Sequence, residues 1–102
     1  MTKILYVEDT PASQRLVQRI LVAEDFDVVI ADSGIAAIEM ATREKPDLIL
    51  MDINIGALDG YEVTTRLRTI KGLEKVPIVA VTAATLDGDR EEGRSVVVAR
   101  DQ

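Results

Sequence analysis

Short apolar runs alternate along the chain with stretches in which apolar residues recur three or four positions apart. Runs rich in β-branched and long aliphatic residues are typical of strands buried on both faces, and the helical spacing predicts helices between them. The four predicted strands are KILYV (3–7), DVVIA (27–31), DLILMD (47–52) and VPIVAVT (76–82). Strands that alternate with helices predict an α/β fold with a parallel sheet and helices on both faces.

Capping residues mark where the predicted helices begin and end. Thr10 fits an N-cap, Pro11 fits the first helical position, where its missing N–H is not needed, and this helix extends to about Ala23. Ser33-Gly34 leads into a second helix, which the proline of EKP ends. A third helix follows a turn at Asp59-Gly60, and its apolar stripe consists of Val63, Leu67 and Ile70.

Composition and charge narrow the range of functions. The chain has 102 residues, enough for one small domain, and 12 Lys and Arg against 18 Asp and Glu give a net charge of −6. This charge argues against direct DNA binding, which needs a basic surface.

The absence of cysteine and histidine excludes thiol chemistry, the usual zinc ligands and an imidazole base. No apolar run is long enough for a membrane span and no signal-peptide pattern begins the chain, so we expect a cytoplasmic protein without a membrane partner.

Oxygen-bearing side chains follow three of the predicted strands. Glu8 and Asp9 follow the first strand, Asp52 ends the third and Thr82 ends the fourth. Ligands of open parallel sheets bind outside the carboxyl ends of the strands, so we expect these four residues to meet at one edge. Each also has a structural interpretation, because the acidic pair can complement a helix dipole, Asp52 and Asn54 suit turns, and Thr82 suits a cap or packing role.

Clustered carboxylates raise one another's pKa and destabilise the fold unless a cation neutralises them. Mg²⁺ takes octahedral oxygen ligands at about 2.0–2.1 Å, commonly one or two carboxylates with water and a phosphoryl oxygen. Glu8 or Asp9, together with Asp52 and a backbone carbonyl just after it, could supply the protein ligands. Asp52 is also the candidate nucleophile that would form an aspartyl phosphate, and Thr82 would donate its hydroxyl to a phosphoryl oxygen.

Four segments together resemble the receiver domain of two-component response regulators. They are ILYVEDTPASQRLVQRIL, ADSGIAAIEMATREKPDLILMDINI, LDGYEVTTRLR and VPIVAVTAAT. The resemblance covers residues 3 to about 92 of a single domain (1–102) and leaves 93–102 as an atypical tail. It implies a flavodoxin-like, doubly wound parallel sheet with strand order 2-1-3-4-5.

The resemblance also implies a role for each site residue. Glu8, Asp9 and Asp52 match the carboxylates that bind Mg²⁺, and Asn54 matches the residue whose main-chain carbonyl completes the metal site. Asp52 is then the phosphoacceptor of a histidine kinase or phosphotransfer protein. Thr82 matches the residue that contacts the phosphoryl group and switches on activation, and Ala83 the small residue whose backbone lines the phosphoryl pocket. Such a module signals to a downstream protein target and is not an enzyme.

The C-terminal residues depart from the family pattern. A receiver continues into a fifth strand, a lysine followed by proline, and a last helix, whereas this chain reads RSVVVARDQ after Gly93 and has no lysine after Lys75. We therefore expect the fifth strand and last helix to be missing or replaced, through truncation, proteolysis or an altered reading frame. Arg100 is the one candidate substitute for the lysine, although its spacing is short and a guanidinium is not a compact point charge.

Val96 to Val98 allow three interpretations: a surrogate fifth strand, a tail without fixed structure, or a segment that pairs with another molecule. Without a fifth strand, strand four would be an exposed apolar edge and a route to homo-oligomers. Two alternatives to the phosphoacceptor function stay open. One is a receiver-fold interaction domain that is not effectively phosphorylated, and the other is a phosphatase of the haloacid-dehalogenase type, for which Asn54 replaces the acid-base aspartate.

Overall fold

The computed structural model describes residues 2–52, 60–85 and 94–100, and Asn54 and Asp59 lie outside them. Its strands are β1 Lys3–Val7, β2 Asp27–Ala31, β3 Leu48–Asp52, β4 Ile78–Thr85 and β5 Arg94–Arg100. Its helices are α1 Pro11–Ala23, α2 Gly34–Glu44 and α3 Gly60–Arg68. Within the described ranges, no helix is both long and apolar enough to cross a bilayer.

The five strands form one sheet in the order β2-β1-β3-β4-β5. The first four strands are parallel, and β5 runs antiparallel to β4. The flavodoxin-like order 2-1-3-4 that the resemblance implies is confirmed. The expected replacement of the fifth strand takes the form of a surrogate strand, which is the first of the three interpretations of the valine run.

The predicted exposure of strand four is wrong. The backbone of β4 pairs with β3 on one side and with β5 on the other, from Val79 opposite Arg100 to Thr85 opposite Arg94. The β-branched C-terminal run supplies the hydrogen bonds that an edge strand would leave unmade. A homo-oligomer built through a free β4 edge therefore has no basis in this sheet, because β5 already occupies that edge.

The helices begin and end where the capping residues predict. Pro11 begins α1 after Thr10, although the Thr10 side chain makes no capping hydrogen bond. At the start of α2, the Ser33 hydroxyl accepts a hydrogen bond from the Ala36 N–H at 3.1 Å. Lys45 adopts a left-handed conformation (φ 48°) and its N–H donates to Ala41, which ends α2 before Pro46. These residues determine where each helix begins and ends, and therefore which strand ends the helices leave uncovered.

The main core lies between the sheet and helices α2 and α3. Its fully buried members include Leu5, Val7, Ala37, Ala41, Ile49, Met51, Val63 and Leu67. Val63 and Leu67 of the predicted α3 stripe are among them, whereas Ile70 lies beyond the end of α3 and packs against the cluster while partly buried. Because side chains alternate along a strand, Ile4 and Tyr6 lie on the opposite face of β1.

Helix α1 covers that opposite face incompletely. It has no buried residue, and Leu16 and Ile20, one turn apart, are 58% and 54% exposed. Tyr6 and Ile4 of β1 are nevertheless buried, at 2% and 1% exposure. On this second face of the sheet, the β1 side chains are therefore buried, whereas Leu16 and Ile20 of α1 are exposed to solvent.

Candidate functional site

Three carboxylates meet at the carboxyl edge of the sheet. Glu8 and Asp9 follow β1, Asp52 ends β3, and one carboxylate oxygen of each lies within 4.8 Å of the others. The register explains the meeting, because β1 and β3 are neighbours with Val7 opposite Met51, so the next residues of the two strands lie side by side. The structure thus brings together the carboxylates that the strand pattern predicts to converge.

The Glu8 carboxylate is held on both of its oxygens. Tyr6 donates its hydroxyl to Oε1 at 3.0 Å, and the Thr10 N–H donates to Oε2 at 3.1 Å. The Glu8 main chain is fixed as well, because its N–H donates to the Ala31 carbonyl at 2.9 Å and its carbonyl accepts from the Gln14 side-chain amide at 2.6 Å. With only 7% of its surface exposed, Glu8 is a buried and oriented carboxylate.

The environment of Glu8 favours its protonated form. Burial raises its pKa above the ordinary value, and the neighbouring Asp52 carboxyl raises it further. The hydrogen bonds from Thr10 and Tyr6 oppose this change because they stabilise the charged form. The net pKa is raised, and burial is the largest cause.

The three carboxylates differ in their access to solvent. Glu8 is buried, Asp52 is half-buried and Asp9 is exposed. The Thr10 hydroxyl lies 3.4 Å from Asp9 Oδ1, which is a long contact. The cluster is therefore anchored at Glu8 and opens to water at Asp9, which gives a ligand a route of entry.

The donor set fits a hard divalent cation. All three ligand groups are carboxylates, the chemistry that Mg²⁺ and Ca²⁺ take and that softer metals do not require. Ion pairs in the described part of the chain join Lys3, Arg43 and Arg66 to Glu44 and Glu62, so no basic side chain there pairs with Glu8 or Asp9. A bound cation would add positive charge to this edge.

Thr82 and Ala83, the residues expected to contact the phosphoryl group, lie on β4. Asp52 is opposite Val81 in the parallel register, so the backbones of Thr82 and Ala83 follow immediately beyond, on the site's side of the sheet. The predicted end of strand four at Thr82 is wrong, since β4 continues to Thr85 because β5 extends the ladder opposite residues 82–85. Asn54, the predicted carbonyl ligand, lies outside the described residues.

Arg100 does not occupy the position of the family's lysine. Its backbone pairs with Val79, which is two residues or about 7 Å before Val81 along β4. The cause is the direction of β5, because the carboxyl end of an antiparallel strand points away from the edge where the parallel strands end. The backbone of Arg100 therefore lies at the wrong end of β5 for this residue to replace a lysine at the site.

Sequence reasoning missed the residues that orient Glu8. Tyr6 and Gln14 were read only as parts of an apolar strand and of a helix, yet each donates a hydrogen bond to Glu8. A signal was present, since Tyr6 and Glu8 stand two positions apart on an extended segment and so share one side of it. A buried tyrosine hydroxyl also needs a partner, and Glu8 was the nearest acceptor in the sequence.

The sequence is similar to known signalling proteins over nearly its whole length. The family described as response regulator receiver domain matches residues 4–98. The polar-differentiation response regulator DivK of Brucella ovis is 37% identical over 95 residues, which are 92% of this chain and 77% of the relative. DivK of Brucella anthropi is 34% identical over 91 residues, 89% of this chain and 74% of the relative.

Solved structures show the same likeness. The receiver domain of the sensor histidine kinase PA1611 from Pseudomonas aeruginosa PAO1, which holds a magnesium ion in its active site cleft, is 40% identical with a TM-score of 0.77. That match covers 88% of this chain and 74% of the other. The chemotaxis response regulator CheY4 of Vibrio cholerae is 27% identical with a TM-score of 0.79 and covers 91% of this chain and 78% of its own.

Proposed function

The chain belongs to the response regulator receiver domain family, and on this premise we propose that it accepts a phosphoryl group on Asp52 in a Mg²⁺-dependent reaction. The observation that carries the proposal is the cluster of Glu8, Asp9 and Asp52, whose oxygens lie within 4.8 Å of one another at the carboxyl edge of the sheet. The magnesium ion in the PA1611 receiver domain supports the same cation here.

Glu8, Asp9 and Asp52 would hold the cation, with the main-chain carbonyl of Asn54 as a further proposed ligand. Bound Mg²⁺ would supply positive charge next to the incoming phosphoryl oxygens. Glu8 is already oriented by its two hydrogen bonds, and the exposed Asp9 would offer its carboxylate on the solvent side of the site. The chain's own contribution is thus to fix one carboxylate and to leave an open approach to Asp52.

Phosphoryl transfer would proceed by attack of an Asp52 carboxylate oxygen on the phosphorus of a phosphohistidine. The new O–P bond forms as the N–P bond breaks, and the departing imidazole nitrogen keeps the electron pair and takes up a proton. Thr82 would donate its hydroxyl to a phosphoryl oxygen, and the backbone of Ala83 would line the same pocket. A contact made only in the phosphorylated form shifts the population of β4 conformations, which is the proposed signal.

We propose a histidine kinase or phosphotransfer protein as the phosphoryl donor and a protein as the downstream target. The net charge of −6 supports protein contact rather than DNA binding as the output. We also propose that the chain does not turn over substrate, because a haloacid-dehalogenase mechanism needs an aspartate where this sequence has Asn54. Release of nitrophenol from p-nitrophenyl phosphate at a rate above that of Asp52→Asn would contradict this.

Intact-mass spectrometry tests the phosphoacceptor proposal directly. After incubation with Mg²⁺ and acetyl phosphate, the wild type should gain one phosphate, and Asp52→Asn or removal of Mg²⁺ with EDTA should abolish the adduct. Asp32→Asn is the matched control, because Asp32 directly follows β2 at the same edge but is not a member of the cluster. An unmodified wild type, or equal modification of Asp52→Asn, would overturn the proposal.

One observation favours a second candidate, a receiver-fold interaction domain that is not phosphorylated. The last lysine of the sequence is Lys75, and Arg100 pairs with Val79 away from the site. A receiver without a lysine ammonium group near the phosphoryl group has weaker stabilisation of the acyl phosphate. The mass experiment separates the two candidates, because the interaction domain predicts Mg²⁺ binding without an adduct.

A further inference from the structure

Tyr6 contributes a side-chain contact to the carboxylate cluster from within β1. Tyr6 is 2% exposed, and its hydroxyl lies 3.0 Å from Glu8 Oε1. A buried tyrosine in the middle of a strand would normally be explained by packing alone. Here the ring is buried on the face of β1 opposite the main core, and its hydroxyl reaches the Glu8 carboxylate just past the end of the strand.

As a metal ligand, a glutamate carboxylate is less fixed in position than an aspartate carboxylate unless neighbouring groups restrain it. Its side chain carries one more rotatable bond, so more conformational entropy is lost when the carboxylate is fixed on a cation. In this protein that loss has already occurred on folding, because Tyr6 holds Oε1 and the Thr10 N–H holds Oε2. Each carboxylate oxygen has two lone pairs, so neither of these hydrogen bonds by itself prevents that oxygen from binding a cation or a coordinated water.

We propose that Tyr6 is a positioning residue for the cation site: its hydroxyl fixes the buried Glu8 carboxylate beside Asp9 and Asp52 and thereby sets the affinity for Mg²⁺. The inference rests on the proposed function only in that both use the same cation site. It does not require that Asp52 be phosphorylated. Outer hydrogen-bond partners of metal ligands typically contribute 10–100-fold to affinity, so this contact is large enough to measure.

Calorimetric titration of the full chain with Mg²⁺ tests the proposal through four proteins: wild type, Tyr6→Phe, Glu8→Asp and the double variant. Tyr6→Phe keeps the ring and removes one oxygen, and we expect it to weaken Mg²⁺ binding about tenfold. In the Glu8→Asp background the carboxylate is one methylene shorter and no longer reaches the hydroxyl. There the same change should alter affinity less than about twofold.

A purely structural role for Tyr6 gives a different pattern. If the hydroxyl serves only the stability of the fold, Tyr6→Phe would lower the melting temperature and weaken Mg²⁺ binding equally in the Glu8 and Glu8→Asp backgrounds. That result, or unchanged affinity in Tyr6→Phe, would overturn the proposal. Failure is also distinct from failure of the proposed function, because a wild type that binds Mg²⁺ tightly but gains no phosphate leaves the Tyr6 inference intact.

A spectroscopic measurement keeps the proposal testable even if Tyr6→Phe does not fold. The chain has no tryptophan and two tyrosines, so Tyr61→Phe leaves Tyr6 as the sole tyrosine. A phenol hydrogen-bonded to a carboxylate has quenched emission, and Mg²⁺ binding to Glu8 should reduce the quenching. We expect a saturable rise in tyrosine emission with the calorimetric midpoint, and its absence despite calorimetric binding would contradict the proposal.

Discussion

Carboxylates at the two ends of β1 have different partners, and their pKa values change in opposite directions. At the amino end, Lys3 forms an ion pair with Glu44 at 2.8 Å, and its main-chain N–H donates to Asp47 at 2.8 Å. At the carboxyl end, Glu8 lies beside Asp52 and its hydrogen-bond donors are a hydroxyl and a main-chain amide. The pKa of Glu44 is lowered by Lys3, whereas the pKa of Glu8 is raised by burial and by Asp52.

This difference separates a structural role of carboxylates from a ligand-binding role. The amino end is neutralised by the chain's own ammonium group, so it needs nothing from solution. At the carboxyl end, no ion pair to Glu8 or Asp9 forms within the described residues, and the pKa of the buried Glu8 is raised. The two ends thus differ in the charges that surround their carboxylates.

The largest expected effect comes from giving the carboxyl end its own cation. Asp9→Lys places an ammonium group beside Glu8 and removes a ligand, so Mg²⁺ affinity should fall by more than about 100-fold while the metal-free protein becomes more stable. Calorimetry and thermal unfolding measure the two effects. Glu39→Lys, on the exposed side of α2, changes the net charge equally and should leave Mg²⁺ binding unaltered; a similar loss there would attribute the effect to overall charge.

Mg²⁺ itself should stabilise the fold through the carboxyl end. At a free concentration of 100 times the dissociation constant, the free energy of unfolding should rise by about 2.7 kcal/mol. Urea titration with and without Mg²⁺ measures this, with NaCl of equal ionic strength as the control. Asp52→Asn should lose most of the gain, and an equal gain in that variant would place the stabilising ion elsewhere.

Neutralising one carboxylate at each end should change stability in opposite directions. Glu8→Gln removes uncompensated charge and keeps an oxygen acceptor for Tyr6, so the metal-free chain should gain about 0.5–2 kcal/mol. Glu44→Gln removes the partner of Lys3 at a solvent-accessible pair and should cause a small loss that added salt diminishes. Urea unfolding of the two variants in EDTA measures both, and changes of the same sign would remove the contrast between the ends.

The smallest expected effect is a pair of opposite pH dependences. Above pH 4.5, the ordinary value, and up to the raised pKa of Glu8, the folded state binds more protons than the unfolded state, so the Glu8 contribution to stability falls as pH rises. The Glu44 contribution is present above its ordinary value and is lost as pH falls through the lowered pKa. Unfolding free energies in EDTA, compared between wild type, Glu8→Gln and Glu44→Gln, should show both slopes.

Much of the fold could be predicted because its signals are local. Apolar runs gave β1 and β2 with their observed bounds, and Pro11 and Lys45-Pro46 flank the observed helix ends. The convergence of Glu8 and Asp52 followed from a general rule for parallel sheets.

The direction of β5 could not be predicted, because a valine run specifies a strand and not whether that strand pairs in a parallel or an antiparallel direction. The contact between Tyr6 and Glu8 depended on side-chain reach past the strand end, which periodicity does not encode.

The antiparallel direction of β5 bears on how the chain folds. Every parallel pair in this sheet joins strands separated by at least a crossover helix, whereas β4 and β5 are connected by residues 86–93 alone. Two segments separated by few residues meet in less time than two segments separated by a whole crossover, and they lose less entropy. The β4–β5 pair is thus the one part of the sheet whose contacts are local in sequence, and it is the natural place for strand pairing to begin before the parallel strands assemble beside it.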